Sequence, residues 1–309
     1  MSPARPSPLA WAMLLVIGLV WGGSFLGISL ALEGFGPITV AALRIAIAAL
    51  ILGAAAVVTG VGLPPTDTQV GRRIWLHCFG MAALSNALPF SFLAWGQQYV
   101  STGFAGIMMA ILPLVVLPLA HVFVPGEQMT RRRVTGFLIG FGGTVLLVGP
   151  AAGTDAGSLV ARLACLAAPC CYAMGAIVTR RAPAGPHLAF GAASLILATV
   201  MIVPLALLVE GVPQAVPATA WAGAAYLGVL ATALATVLVV WLIHTAGPSF
   251  LSLVNYQVPI WGVLIGMIVL GEALPTQFLG ALALILTGLA VSQPGGRKVG
   301  RIVRPESSY

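Results

Sequence analysis

An all-α polytopic membrane protein, with ten transmembrane helices arranged as two inverted five-helix repeats around a central cavity, is the fold class this sequence predicts. Three observations predict it. The first is composition: 60% of the 309 residues are hydrophobic and 7% are charged, with a mean hydropathy of +1.06. A water-facing surface would not tolerate this balance. The second is self-similarity. Placing Trp95 over Trp241 sets an offset of 146 that also puts Phe104 on Phe250 and Pro113 on Pro259. One skipped residue then brings Gly126-Glu127 onto Gly271-Glu272, and Gly143 onto Gly288. The third is charge, because the first copy runs on into Arg131, Arg132 and Arg133 and the second into Thr276, Gln277 and Phe278. Basic residues collect on the cytoplasmic side of membrane proteins, so the two copies point in opposite directions.

A spanning helix needs roughly 20 mainly apolar residues, and ten such windows follow one another along the chain. Residues 9–32 come first. Arg5 precedes this run as it would in a signal peptide, but the run is long and lacks a small-residue cleavage site, so it is read as a retained helix. Residues 37–58 carry Arg44 inside an otherwise apolar stretch, and 74–97 carry Asn86 and Pro89 near mid-span. Windows 101–124 and 132–149 complete the first repeat, residues 1–150. The second repeat, 151–309, holds windows 158–179, 187–209, 219–244, 249–270 and 275–293, then a basic cytoplasmic tail. Five spans per repeat is an odd number, which makes the second repeat enter from the other side. The longest connection, 59–73, is too short for a soluble domain.

With the N-terminus inside, the cytoplasmic segments hold Arg5, Arg72, Arg73, Arg131, Arg132, Arg133, Arg180, Arg181, Arg297, Lys298, Arg301 and Arg304. These are twelve of the fourteen basic residues. The outer loops hold Glu33, Asp155, Glu210 and Glu272, with no basic residue unless Arg162 counts. Both termini are therefore expected in the cytoplasm. The net charge of +7 reads as orientation, and no nucleic-acid partner is expected. Cys78, Cys165, Cys170 and Cys171 all fall inside windows without metal-site spacing, so they read as packing residues and no metal is expected.

Lipid cannot satisfy a polar group, so polar side chains deep in these windows need a partner or a cavity. Arg44 either snorkels outward or faces the cavity, where its fork suits a carboxylate. Asn86 lies before Pro89, which frees a backbone carbonyl at mid-span. The ninth window repeats the theme with Asn255, Tyr256, Gln257 and Pro259, although Asn255 and Gln257 could equally join helices to one another. Trp21, Ser24 and Phe25 share a face of the first helix, and Phe90, Trp95, Tyr172 and Trp241 extend the aromatic set, each serving ligand contact or core packing. Pro89, Pro113 and Pro259 are candidate bends for gating. Trp11, Trp75 and Trp221 fit an interfacial belt. Gly136, Gly140 and Gly143 line one face, where small residues let helices approach closely.

No His-Glu-x-x-His, Walker A loop or Gly-x-Ser-x-Gly occurs, so an enzyme is not expected. No carboxylate falls at mid-membrane. His77, His121, His187 and His244 are the titratable groups left for proton coupling, and His244 reads as an interfacial residue beside Gly247-Pro248.

Ten spans in two halves, Trp21-Gly22-Gly23-Ser24-Phe25 in the first, Arg44 in the second, and Gly-Glu after both the fourth and the ninth, resemble the drug/metabolite transporter superfamily in its EamA branch. Within it, the chain is similar to YddG-type exporters of aromatic and other neutral amino acids. The resemblance implies a carrier of the bacterial inner membrane, without cofactor, that moves a neutral or zwitterionic small molecule by alternating access. It leaves open whether the carrier is a monomer or a homodimer. The small multidrug relatives use a glutamate in the first helix, which residues 19–26 lack. Relatives that carry sugar phosphates would place several cations in the cavity, and only Arg44 is at hand. The rival readings are an exporter of drugs or other neutral metabolites and a non-transporting membrane scaffold.

Overall fold

Helix-starting signals in the sequence become helix starts in space. The computed structural model describes residues 7–123, 129–148, 158–273 and 275–292, and among them every regular element is helical. Helix α1 spans Pro8–Ala31, α2 Pro37–Val58, α3 Gln69–Gly96, α4 Thr102–Phe123 and α5 Arg131–Val148. Helix α6 spans Leu159–Arg180, α7 His187–Val209, α8 Ala218–Ala246, α9 Val254–Leu270 and α10 Thr276–Ser292. Ser7, Thr68, Ser101 and Ser158 each accept a hydrogen bond from the backbone N–H three residues on, capping α1, α3, α4 and α6. Such caps satisfy donors that a helix start leaves open.

The segments occupy the ten windows, but only seven, α1 to α4 and α6 to α8, are long and apolar enough to cross a membrane. Helices α9 and α10 have 17 residues each, about 26 Å at 1.5 Å per residue. The ninth is shortened because Gly247 turns the chain with φ +86° and Pro248–Leu251 forms a separate short turn ahead of it. The fifth begins with three arginines. Gly126, Glu127, Asp155, Glu306 and the basic residues at both termini, Arg5, Arg297, Lys298, Arg301 and Arg304, lie outside the described residues.

Helix α2 packs along α7, α4 along α9 and α5 along α10, while α1 packs on α8 and α9 and α3 on α6. Glycine permits the close approach of α5 and α10: a Cβ on Gly136 would stand 2.5 Å from the Gly288 carbonyl oxygen, and one on Gly143 would stand 2.9 Å from that of Ala281. Arg132 Nε and Gln277 Nε2 tie the same pair, donating to Val291 O and Leu146 O.

The two ends of the bundle differ chemically. One carries Arg72, Arg73, Arg131 to Arg133, Arg180 and Arg181, and is called the arginine end here. The other carries three glutamates, each bound to the start of a distant helix. Glu210, at the end of α7, accepts from the N–H groups of Ile38 and Thr39, both at 2.8 Å, and from the Thr39 hydroxyl at 2.6 Å. Glu272, after α9, accepts from Thr102 N–H at 2.7 Å and Gly103 N–H at 2.9 Å. Glu33, after α1, accepts from the Thr219 hydroxyl in α8. A carboxylate at a helix N-terminus meets open donors and a favourable dipole, so each glutamate joins an element before residue 150 to one after it.

Candidate functional site

Four helices lose regularity near one level of the bundle, and in three of them polar side chains use the freed backbone. Ala82–Ala87 in α3 and Tyr226–Leu234 in α8 are wound as wide π-type turns. In each, a side chain takes the carbonyl five residues back: Asn86 Nδ2 donates to Met81 O at 3.2 Å, and Thr232 Oγ1 to Leu227 O at 2.8 Å. At the irregularity of α1 at Gly23, the Ser24 hydroxyl donates to Trp21 O at 2.6 Å, and Trp21 Nε1 reaches across to Ala231 O at 3.2 Å. Wide turns of this kind recur at functional sites.

Around this level lies a cavity of about 250 Å³. Its walls are Trp21, Ser24 and Phe25 from α1, Arg44 from α2, and Ser85, Asn86, Phe90 and Leu93 from α3. Met109 and Leu112 of α4, Tyr172 of α6, Ala231, Thr232, Ala235 and Thr236 of α8, and Asn255 and Val258 of α9 complete them. Arg44 is 6% exposed, which settles its alternatives: it turns inward. Its Nε donates to Thr232 Oγ1 at 2.8 Å, and its guanidinium carbon stands 3.8 Å from the centre of the Phe90 ring. Phe90 in turn meets Tyr172 edge-on at 6.3 Å.

Toward the glutamate end the cavity is shut by one contiguous cluster in which Phe25, Ile28, Leu93, Phe104, Met108 and Leu227 are all buried. Helix α4 shows the contrast along its own length. Residues 102–108 are all buried, whereas 115–120 are all half-exposed, so the packing of α4 loosens toward the arginine end.

Eight of the residues singled out in the sequence thus share one wall: Trp21, Ser24, Phe25, Arg44, Asn86, Phe90, Tyr172 and Asn255. The other four stand elsewhere. Trp95 leans on Tyr99 at 5.3 Å, and Trp241 packs beside Leu14, Leu242 and Phe250. Tyr256 and Gln257 are absent from the cavity lining, and Gln257 presses on Gly18 of α1. Asn255 Nδ2 donates to Ser252 O within its own turn. Among the bends, Pro89 lies two residues past the end of the wide turn of α3, and Pro113 two past the irregularity at Ala110 and Ile111. Pro259 sits inside an uninterrupted α9, and the break lies ahead of that helix instead. Ser85, Thr232 and Thr236 were not singled out, because hydroxyls in apolar helices read as packing groups that bond their own backbone. The wide turn of α8 has no proline to announce it.

No histidine lines the cavity; His187 and His244 face one another at 5.9 Å at the arginine end. Among the described residues no group of three metal-binding side chains exists.

A model of the EamA-like transporter family matches residues 9–149 and 159–292. The chain is 27% identical to a "Probable terminal-alkyne amino-acid exporter" of Streptantibioticus cattleyicolor, over 92% of each chain. It is 26% identical to the protein PecM of Dickeya dadantii, over 89% of each, and 22% identical to the inner membrane transporter YedA of Escherichia coli, over 84% of this chain and 83% of that one. A crystal structure 23% identical in sequence superposes with a TM-score of 0.63 over 92% of this chain and 96% of its own. That likeness shows a shared fold.

Proposed function

Because the chain belongs to the EamA-like transporter family, whose members are transporters and not enzymes, we propose that it exports amino acids, aromatic and other neutral ones, across the bacterial inner membrane by alternating access. The observation that carries the reading is the cavity itself, walled by elements from both parts of the chain and lined by aromatic and aliphatic groups with a few convergent polar ones. Such a lining is the usual form of a small-molecule site. The likeness to an amino-acid exporter along nearly the whole chain supports the substrate class.

In this reading residues 1–150 and 151–309 are inverted repeats of five spans, and the pairing of α2 with α7, α4 with α9 and α5 with α10 is what a two-fold relation between them would produce. The arginine end faces the cytoplasm, with both termini on that side. Substrate then enters the loosened half of the bundle from the cytoplasm and meets a closed glutamate end. Export follows when the halves rock, the loosened half of α4 closes, and the contacts of Glu33, Glu210 and Glu272 part.

The rival exporter of drugs or neutral metabolites draws on the apolar walls, but Arg44 opposes hydrophobic cations. The test is uptake of radiolabelled phenylalanine, tryptophan, threonine and glutamine into proteoliposomes, with and without a pH gradient. Saturable uptake supports the proposal. Absence of uptake by folded protein rejects it in favour of the rival.

A further inference from the structure

Taking the central cavity as the transport site, we infer that it selects its substrate by one carboxylate, held on Arg44, and does not require an ammonium group, so that its substrate class includes apolar monocarboxylates. Burying a cation is costly unless it is paired. The protein supplies Arg44 with a hydroxyl at Nε and a ring below its plane, both uncharged. The Thr232 proton is already committed to Leu227 O, so Thr232 presents a lone pair to Nε and fixes the guanidinium plane. The two Nη groups have no protein acceptor among the described residues, and Arg44 borders the cavity.

Among the described residues no carboxylate is near enough to neutralise it. Glu210 and Glu272 commit their oxygens to the starts of α2 and α4, Glu33 binds Thr219, and Asp67 lies in the connection between α2 and α3. A guanidinium with open Nη donors pairs with a carboxylate in two parallel hydrogen bonds. The charge arithmetic then separates ligand classes. A monocarboxylate brings the cavity to neutrality, a zwitterion returns one positive charge, and an amine adds a second positive charge to the first. For the ammonium only neutral oxygens are offered, such as the amide oxygens of Asn86 and Asn255.

The test is isothermal titration of the purified full-length protein with 3-phenylpropanoate, phenylalanine and 2-phenylethylamine, ligands that share one apolar group. The expected result is that 3-phenylpropanoate binds at least as tightly as phenylalanine, and 2-phenylethylamine at least about tenfold more weakly. In Arg44→Gln the preference for the acid over the amine disappears, and Arg44→Lys keeps part of it; thermal unfolding of both variants reports on folding. Equal binding of amine and acid by the wild-type protein overturns the inference, as does failure of 3-phenylpropanoate to bind. Phenylalanine uptake in proteoliposomes is scored separately, so that the export reading can stand while the carboxylate rule falls, or the reverse.

Discussion

Arg44 shows how a single residue can announce a site. A guanidinium in the middle of an Ala- and Leu-rich helix has to be paid for by a partner or a cavity, and the fold provides a cavity with Phe90 and Thr232 holding the charge in place. The position of the guanidinium therefore depends on Thr232. Replacing Thr232 by Val keeps its shape and removes both hydrogen bonds of the hydroxyl, at a cost of about 1–3 kcal/mol. We expect Thr232→Val to weaken binding of 3-phenylpropanoate by about tenfold and Thr232→Ser to leave it within about threefold, measured by calorimetry. Equal affinity in Thr232→Val would show that the hydroxyl does not position Arg44. The sequence made Arg44, Asn86, Phe90, Tyr172 and the Trp21 to Phe25 face readable because polar and aromatic groups in lipid need a reason to be there. It hid Thr232 and Thr236, whose hydroxyls are satisfied by their own helix. It also gave Trp95 and Trp241 the look of site residues, since aromatic chemistry alone does not say which side of a helix faces inward.

At the scale of elements, apolar runs and caps set the helices where hydropathy puts them, and the departures have local causes. Proline marked the interruption in α3, but in α8 the wide turn of Tyr226–Leu234 contains only Gly228 as a helix breaker, and no periodicity reveals it. Gly228 packs on Ile47 and Gly223 on Gly27, so the small residues of α8 serve close approach to α1 and α2. Helices α5 and α10 also approach closely. A Cβ on Gly288 would come within 2.5 Å of the Gly136 carbonyl oxygen, and overpacking of this kind costs about 1–3 kcal/mol or more. Gly288→Val should lower the thermal unfolding midpoint by several degrees; an unchanged midpoint would mean that the two helices can separate freely. The glutamate caps can be tested one helix at a time. Glu210→Gln loses the charge that faces two backbone donors, worth about 1 kcal/mol, so the amides of Ile38 and Thr39 should exchange hydrogen about fivefold faster. Protection at Thr102 and Gly103, which rests on Glu272, should not change.

The molecule as a whole is polarised, with cations at one end and carboxylate caps at the other, and the cavity between them is shut toward the carboxylates. If the arginine end is cytoplasmic, a fluorescent protein fused to either terminus should fluoresce and a phosphatase reporter there should be inactive; the opposite pattern would reverse the direction of transport. The most direct test of transport through this cavity is the initial rate of radiolabelled phenylalanine uptake into inside-out membrane vesicles, for the wild-type chain and Arg44→Gln at equal protein levels. The account predicts saturable uptake by the wild type that falls at least about tenfold in the variant. Uptake no faster than in vesicles lacking the protein, or equally fast with Gln at position 44, would contradict it.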